Sequence, residues 1–185
     1  MDKERVKKLV RELIIEIGED PTREGLKDTP ERIANMYEEI FGGYESDSEL
    51  SVQFSEDSDV VVARNIQFYS MCEHHMLPFF GKIHIAYSPN GRVFGISKLV
   101  RLVEKYSKRL QIQERLTKNI ADELFAQGVK GVVVLADAEH FCMKMRGVRN
   151  DAILTTSAYR GIYENKEEKE NIMTMIRRRT SDISL

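Results

Sequence analysis

The first 44 residues carry the hydrophobic spacing of two amphipathic helices. Between residues 3 and 17, apolar side chains recur every three or four positions, with lysine, arginine and glutamate between them. Gly18 ends this pattern, and Thr29 followed by Pro30 supplies an N-cap and a first-turn proline for a second helix, which continues to Phe41. Because helices this short are stabilised mainly by packing, we expect the pair to lie against the rest of the chain or another subunit.

Residues 45–59 differ in composition from their surroundings, being rich in serine and acidic side chains. Such a segment has few apolar groups to bury and predicts a solvated linker. The chain would then divide into a helical segment at residues 1–44, the linker, and a larger unit at residues 60–185.

Beyond the linker the apolar period changes to two, as in β-strands. Residues 60–69 are rich in β-branched side chains, and residues 82–87 alternate between apolar and polar. Two amphipathic helices follow, then strands near residues 132–135 and 152–163, and a final helix over about residues 166–179. The order is αα, linker, ββααββ, α, which predicts the α+β class.

Composition narrows the range of partners. The formal net charge of −2 argues against nucleic acid or an anionic membrane as the main partner. No apolar run approaches the roughly 18–20 residues of a membrane-spanning helix, and the charged start lacks the apolar centre of a signal peptide. Two cysteines without an export signal fit a reducing compartment, so we expect a cytoplasmic protein.

Two short segments concentrate the metal-binding residue types. Cys72-Glu73-His74-His75 and His140-Phe141-Cys142 contain both cysteines and three of the four histidines. Thiolate sulfur and imidazole nitrogen are typical zinc ligands, and two cysteines with one histidine would leave a fourth tetrahedral position for water, as at a catalytic zinc. Buried thiols, a disulfide or core histidines are the alternatives that this pattern leaves open.

Several motifs together resemble one known family, GTP cyclohydrolase I. The matching segments extend in register over nearly the whole chain: Gly18-Glu19-Asp20-Pro21, Thr29-Pro30-Glu31-Arg32, Cys72-Glu73-His74-His75, Gly95-Ile96-Ser97-Lys98, Gln111-Ile112-Gln113-Glu114-Arg115-Leu116-Thr117 and His140-Phe141-Cys142-Met143-Lys144-Met145-Arg146-Gly147. The resemblance implies conversion of GTP to 7,8-dihydroneopterin triphosphate and formate, a step of folate and pterin biosynthesis. It also implies the tunnelling fold, in which an antiparallel sheet carries two helices on one face, and a homodecamer of two pentamers with sites at subunit interfaces.

The same resemblance implies a zinc ion held by Cys72, His75 and Cys142, although spacing alone does not exclude His74 as the nitrogen ligand in place of His75. It makes His140 the group that serves the purine nitrogen and His74 the group that assists rearrangement of the ribose. Imidazole suits both tasks because it exchanges protons near neutral pH. The alternative for either histidine is to orient a metal ligand through a hydrogen bond.

Substrate contacts are also implied by the resemblance. Glu114, with Gln113 beside it, would bind guanine through N1–H and the 2-amino group, and the alternative for Glu114 is an acid that stabilises a helix N-terminus. We expect Ser97 to be an N-cap near the triphosphate and to help in the ribose rearrangement. The cations expected at the triphosphate are Lys98, Arg101, Arg146 and, reaching a neighbour's site, Arg64.

Two other functions remain compatible with this fold. One is a related tunnelling-fold enzyme that acts on another purine or on a pterin, although the sequence shows no NADPH fingerprint. The other is a non-catalytic ring protein that binds nucleotide, for which a metal site closed by four protein ligands would be typical.

Overall fold

The structure is a computed structural model and describes residues 1–46, 50, 53–56 and 58–177. Its elements, in chain order, are α1 (Lys3–Glu16), α2 (Thr29–Ile40), β1 (Gln53–Ser55), β2 (Val61–Cys72), β3 (Pro78–Ser88), β4 (Arg92–Phe94), α3 (Ile96–Ser107), β5 (Leu110–Gln111), α4 (Gln113–Phe125), β6 (Gly131–His140), α5 (Phe141–Lys144), β7 (Leu154–Gly161) and α6 (Lys166–Arg177). No helix in these ranges combines the length and the apolar composition needed to cross a bilayer. The last two residues of the predicted final helix, 178 and 179, lie outside the described residues.

A five-stranded sheet forms the centre of the protein, with strand order β5-β2-β3-β6-β7. The pairs β2–β3, β3–β6 and β6–β7 are antiparallel, while the short β5 runs parallel to the end of β2. Since α3 and α4 lie between β3 and β6 in the chain, the predicted ββααββ order and α+β class are confirmed.

The two faces of the sheet are covered by different helices. Apolar residues of α3 and α4, such as Leu102 and Ile120, pack with Ile83 and Ile85 of β3 in the main core. On the opposite face, Ile172 and Ile176 of α6 join a smaller cluster of buried residues with Ala86 and Val133. Strand alternation explains this division, because neighbouring residues of one strand point to opposite faces.

The N-terminal helical pair is held to the sheet unit by Arg109. Its Nε and Nη2 donate hydrogen bonds of 3.0 and 2.7 Å to the carbonyl oxygen of Gly43. The guanidinium also lies 5.5 Å from the ring centre of Tyr44 and 5.2 Å from that of Tyr106, within the range of cation–π attraction. The segment that follows α2 therefore packs on the rest of the chain, whereas α1 and α2 pack mainly on each other.

Two local predictions need correction. Helix α2 already includes Thr29, and Asp28 occupies the N-cap position without a side-chain hydrogen bond, so the predicted Thr29 cap is wrong. The acidic segment at residues 45–59 contains β1, which pairs antiparallel with β4, and a buried Leu50. A three-residue strand is too short to show a period of two, which explains why the pattern did not predict it. The division of the chain at this segment stays a prediction.

Candidate active site

Strand register brings the two cysteine- and histidine-rich segments together. Cys72 is the last residue of β2, and Met71 pairs with Pro78 at the start of β3. Phe79 pairs in turn with His140, the last residue of β6. The turn that follows β2 and the short helix α5 that follows β6 therefore meet at one end of the sheet.

The turn after Cys72 is tight and positions the histidines. The amide of Cys72 donates to the carbonyl of Leu77 at 2.9 Å, and the amide of Met76 donates back to the carbonyl of Cys72 at 2.8 Å. Met76 adopts a φ of 50°, which closes the turn. As a result, Nδ1 of His75 lies 3.9 Å from Sγ of Cys72, and Nδ1 of His74 lies 3.7 Å from the same sulfur.

Cys72, His75 and Cys142 form a group that can hold a metal ion. One donor atom from each residue lies within 4.8 Å of the other two, and this is the one such group of three or more among the described residues. Zinc–sulfur and zinc–nitrogen bonds of about 2.3 and 2.0 Å place tetrahedral ligand atoms roughly 3.5–3.8 Å apart, so a small inward movement completes the site. His74 does not belong to this group, although its ring lies beside Cys72.

The electrostatics of Cys142 also suit a cation. Burial, followed by the nearby Cys72 thiol, raises the pKa of Cys142, whereas the positive charge of Arg146 acts in the opposite direction. Cys142 is therefore a poor thiolate by itself. A bound divalent cation would favour the deprotonated thiol instead, because its positive charge stabilises thiolate ligands directly.

His140 lies next to this group and is held on two sides. Its ring stacks on the buried ring of Phe79, with centres 4.7 Å apart and planes 4° from parallel. Its Nε2 lies 2.8 Å from Oε1 of Gln113, the first residue of α4. Burial lowers the pKa of His140, whereas the negative charge of Glu114 acts to raise it.

Glu114 is exposed at the start of α4, immediately after the buried Gln113. It lines a cavity of about 470 Å³ whose other walls come mainly from β7 and the segment that follows it. The other polar and charged side chains around this cavity are Lys118, Ser157, Tyr159, Arg160, Tyr163, Glu164 and Lys169. The carboxylate can therefore accept hydrogen bonds from a ligand in the cavity.

Of the residues predicted to bind the triphosphate, Arg146 lies near the metal group, whereas Lys98, Arg101 and Arg64 lie away from it. Arg146 lies close enough to Cys142 to influence its pKa. Lys98 lies near the start of α3, about 14 Å along the helix axis from Ser107 at the end that adjoins β5 and Cys72. Ser97 is exposed in the first turn of α3.

Ser97 is not an N-cap, because Gly95 occupies that position and no side-chain cap is formed. Arg101 lines a separate cavity of about 300 Å³ between α3 and the segment that follows α2. Arg64 lies where the register of β2 shifts between Ala63 and Ile66, about 25 Å along the strand from Cys72. A single chain therefore does not bring Ser97, Lys98, Arg101 or Arg64 to the metal group.

An ion pair that the sequence did not predict ties the metal-binding turn to α4. Arg115 donates from both Nη atoms to the two carboxylate oxygens of Glu73, at 2.5 and 3.2 Å. The amide of Glu73 also donates to the carbonyl of Gln111 at 3.1 Å. Because Glu73 and Arg115 are far apart in sequence, no local spacing signal could have paired them.

A comparison with known proteins adds independent evidence. The family model for GTP cyclohydrolase I matches residues 6–177. The chain belongs to the GTP cyclohydrolase I family. This confirms the resemblance found in the motifs and makes the chain a member of a zinc-dependent enzyme family. The predicted zinc cofactor agrees with the Cys72, His75 and Cys142 group.

Relatives that are named GTP cyclohydrolase 1 match over nearly their whole length. The protein of Hyperthermus butylicus is 52% identical over 178 residues, which cover 95% of this chain and 92% of the relative. That of Clostridium perfringens strain 13 is 51% identical over 182 residues, covering 95% and 98%. A crystal structure of the archaeosine synthase QueF-Like in the apo form superposes with a TM-score of 0.49 at 17% identity, over 57% of this chain and 97% of that one.

Proposed function

We propose that this member of the GTP cyclohydrolase I family hydrolyses GTP to 7,8-dihydroneopterin triphosphate and formate at the end of the sheet where Cys72, His75 and Cys142 meet. The observation that carries the proposal is the convergence of these three donor atoms within 4.8 Å of one another, next to His140. Three protein ligands leave a tetrahedral position open, as in a catalytic rather than a structural site.

The chemistry requires water to add at C8 of guanine, the imidazole ring to open and formate to leave. Cys72, His75 and Cys142 would hold a zinc ion, which would supply a Lewis acid able to activate water at neutral pH. His140 exchanges a proton with the purine nitrogen of the breaking bond, since its ring is half-buried and held beside the metal group. His74 is exposed on the same turn and serves the later ribose rearrangement.

Guanine selection is assigned to Glu114. A carboxylate can accept hydrogen bonds from N1–H and the 2-amino group of guanine together, a pair of donors that adenine lacks. The exposed position of Glu114, close enough to act on the pKa of His140, supports this assignment. A guanine contact of Gln113 stays a prediction of the resemblance.

The triphosphate site is proposed to include residues of two subunits. Arg146 would contribute from the chain that supplies the metal ligands, while Lys98, Arg101 and Arg64 would contribute from a neighbour, with Ser97 beside them. Their distance from the metal group within one chain favours this arrangement. It requires an oligomer, for which we propose a homodecamer of two pentamers, in the cytoplasm, where cysteine ligands stay reduced.

The sheet has edges that such an assembly could cover. In the described part of the chain, β7 pairs with β6 alone, and residues 61–70 of β2 pair with β3 alone. Unpaired edge strands are usually protected or extended by another strand, and joining β7 of one subunit to β2 of the next would do this.

Incubation of zinc-loaded protein with GTP tests the proposal. We expect one formate per GTP consumed and, after oxidation, the fluorescence of a neopterin product, with ATP giving neither. A cyclic phosphate, or loss of GTP without formate, would assign the chain to a different reaction on the same fold. Nucleotide binding without any turnover would indicate the non-catalytic alternative.

A further inference from the structure

The amide group of Gln113 is held in one orientation. The side chain is 1% exposed, and its Nε2 donates hydrogen bonds of 2.9 Å to the carbonyl of Ala136 and 2.9 Å to the carbonyl of Leu154. Carbonyl oxygens can only accept, so both hydrogens of the amide are used and the nitrogen cannot exchange places with the oxygen. Oε1 must therefore be the atom that faces His140, at 2.8 Å from its Nε2.

This orientation determines which nitrogen of His140 carries hydrogen. Since Oε1 of Gln113 has no hydrogen to donate, Nε2 of His140 must be the donor. A neutral imidazole has one N–H, so Nδ1 then has the free lone pair. Within the described residues Nδ1 has no protein hydrogen-bond partner.

We propose that Gln113 is a positioning residue that holds His140 as its Nε2–H tautomer and leaves Nδ1 as the nitrogen that exchanges protons with the substrate. The proposal rests on the proposed function for the identity of that substrate. It gives Gln113 a task different from contact with guanine, because the side chain is buried and both of its hydrogens are already donated to β6 and β7.

The surroundings of His140 support a single orientation. Phe79 covers one ring face and lies almost parallel to it, which fixes the ring plane, and the hydrogen bond to Gln113 distinguishes the two flipped orientations because a flip would replace Nε2 by a carbon. Gln113 is also fixed by three elements, because it begins α4 and donates hydrogen bonds to a carbonyl of β6 and to the carbonyl of Leu154, the first residue of β7. The hydrogen bond to His140 is therefore part of a rigid connection between helix and sheet.

The proton balance of the first step follows from this tautomer. Water forms a bond to C8 while one of its O–H bonds breaks, and Nδ1 of His140 accepts the proton. The electron pair of the C8=N7 double bond moves to N7, and the same proton passes from Nδ1 to N7, which completes the addition of water and returns His140 to the neutral form. Throughout the step Nε2–H continues to donate to Gln113.

Two variants and one matched control test the proposal. Gln113→Met keeps the size of the side chain and removes the acceptor, while Gln113→Glu keeps an acceptor oxygen; both variants lose the hydrogens donated to Ala136 and Leu154, so the thermal stability of each is measured as well. Gln111→Met changes another buried glutamine, 2% exposed, whose amide donates to the carbonyl of Tyr106 rather than contacting His140. Each protein is labelled with ¹⁵N-histidine, zinc is quantified, and kcat and KM for GTP are measured.

In the wild type we expect the ¹⁵N spectrum to show a protonated Nε2 and an unprotonated Nδ1 for His140, identified by the signal that disappears in His140→Asn. Gln113→Met should mix the two tautomers and lower kcat about 10–100-fold, with zinc content and KM little changed. Gln113→Glu should keep hydrogen on Nε2 and retain a higher kcat than Gln113→Met, although both variants lose the bonds to Ala136 and Leu154, and Gln111→Met should match the wild type in tautomer and kcat.

A wild-type His140 with hydrogen on Nδ1 would overturn the proposal, and so would a Gln113→Met variant that raises KM and leaves kcat unchanged. If Gln113→Met does not fold, the wild-type spectrum decides the question by itself. Absence of GTP turnover in the wild type would contradict the proposed function, whereas the spectrum would still report the tautomer.

Discussion

Substitution of Cys142 by serine should remove the metal-dependent part of the protein's thermal stability. Cys142 lies on α5, whereas Cys72 and His75 lie at the end of β2 and in the turn after it, so a bound ion links parts of the chain that are distant in sequence. Serine has nearly the size of cysteine, but its hydroxyl keeps its proton at neutral pH and is a poor zinc ligand. The variant therefore retains the fold and two of the three ligands.

The magnitude follows from binding linkage. Zinc at about 100 times its Kd stabilises the native state by about 2.7 kcal/mol. For a chain of this size each kcal/mol corresponds to about 2–4 °C in Tm, so zinc should raise Tm of the wild type by about 5–11 °C. If loss of Cys142 weakens zinc binding about 100-fold, the same zinc concentration equals the Kd, and the gain falls to about 0.4 kcal/mol, or roughly 1–2 °C.

The assay is thermal unfolding followed by circular dichroism at one protein concentration, with zinc added and then removed by a chelator. His84→Asn is the matched control, because His84 is the one histidine outside the two metal-binding segments and bonds instead to the amide of Asn65 at 3.4 Å. We expect its zinc response to equal that of the wild type. A full 5–11 °C response in Cys142→Ser would refute the ligand assignment.

Two further substitutions test other parts of the structure. Glu114→Gln should lower kcat/KM for GTP about 10–100-fold without loss of zinc, because a charged hydrogen bond contributes about 1.5–3 kcal/mol; unchanged kcat/KM would exclude Glu114 from guanine binding. Arg109→Met should lower the free energy of unfolding in urea by about 1.5–3 kcal/mol, since the carbonyl of Gly43 loses two donors. The exposed Arg92→Met serves as its control, and equal unfolding of both variants would show that Arg109 does not hold the N-terminal segment.

Local patterns were sufficient where a structural feature depends on near neighbours in the chain. The helical spacing between residues 3 and 17 predicted α1 to within one residue at its end. The alternating residues 82–87 lie within β3, and the two cysteine- and histidine-rich segments predicted the group that the structure brings together. Such patterns succeed because periodicity and ligand type are properties of a few consecutive residues.

The same local reasoning was wrong where a neighbouring residue competes for a position. Ser97 has the right chemistry for an N-cap, yet α3 begins at Ile96 and Gly95 takes the cap position. Thr29 failed as a cap for the same reason, since Asp28 precedes it. Helix ends depend on backbone geometry that residue preference alone does not determine.

The sequence by itself determined the family, the order of the elements and the residue types of a zinc site. Tertiary structure decided which histidine joins Cys142, because the register of β2, β3 and β6 and the tight turn after Cys72 place His75 rather than His74 in the group. It also decided that Gln113 faces His140 and two strand carbonyls instead of solvent. These contacts join residues that lie far apart in the chain, so only the packing of α4 against the sheet could bring them together.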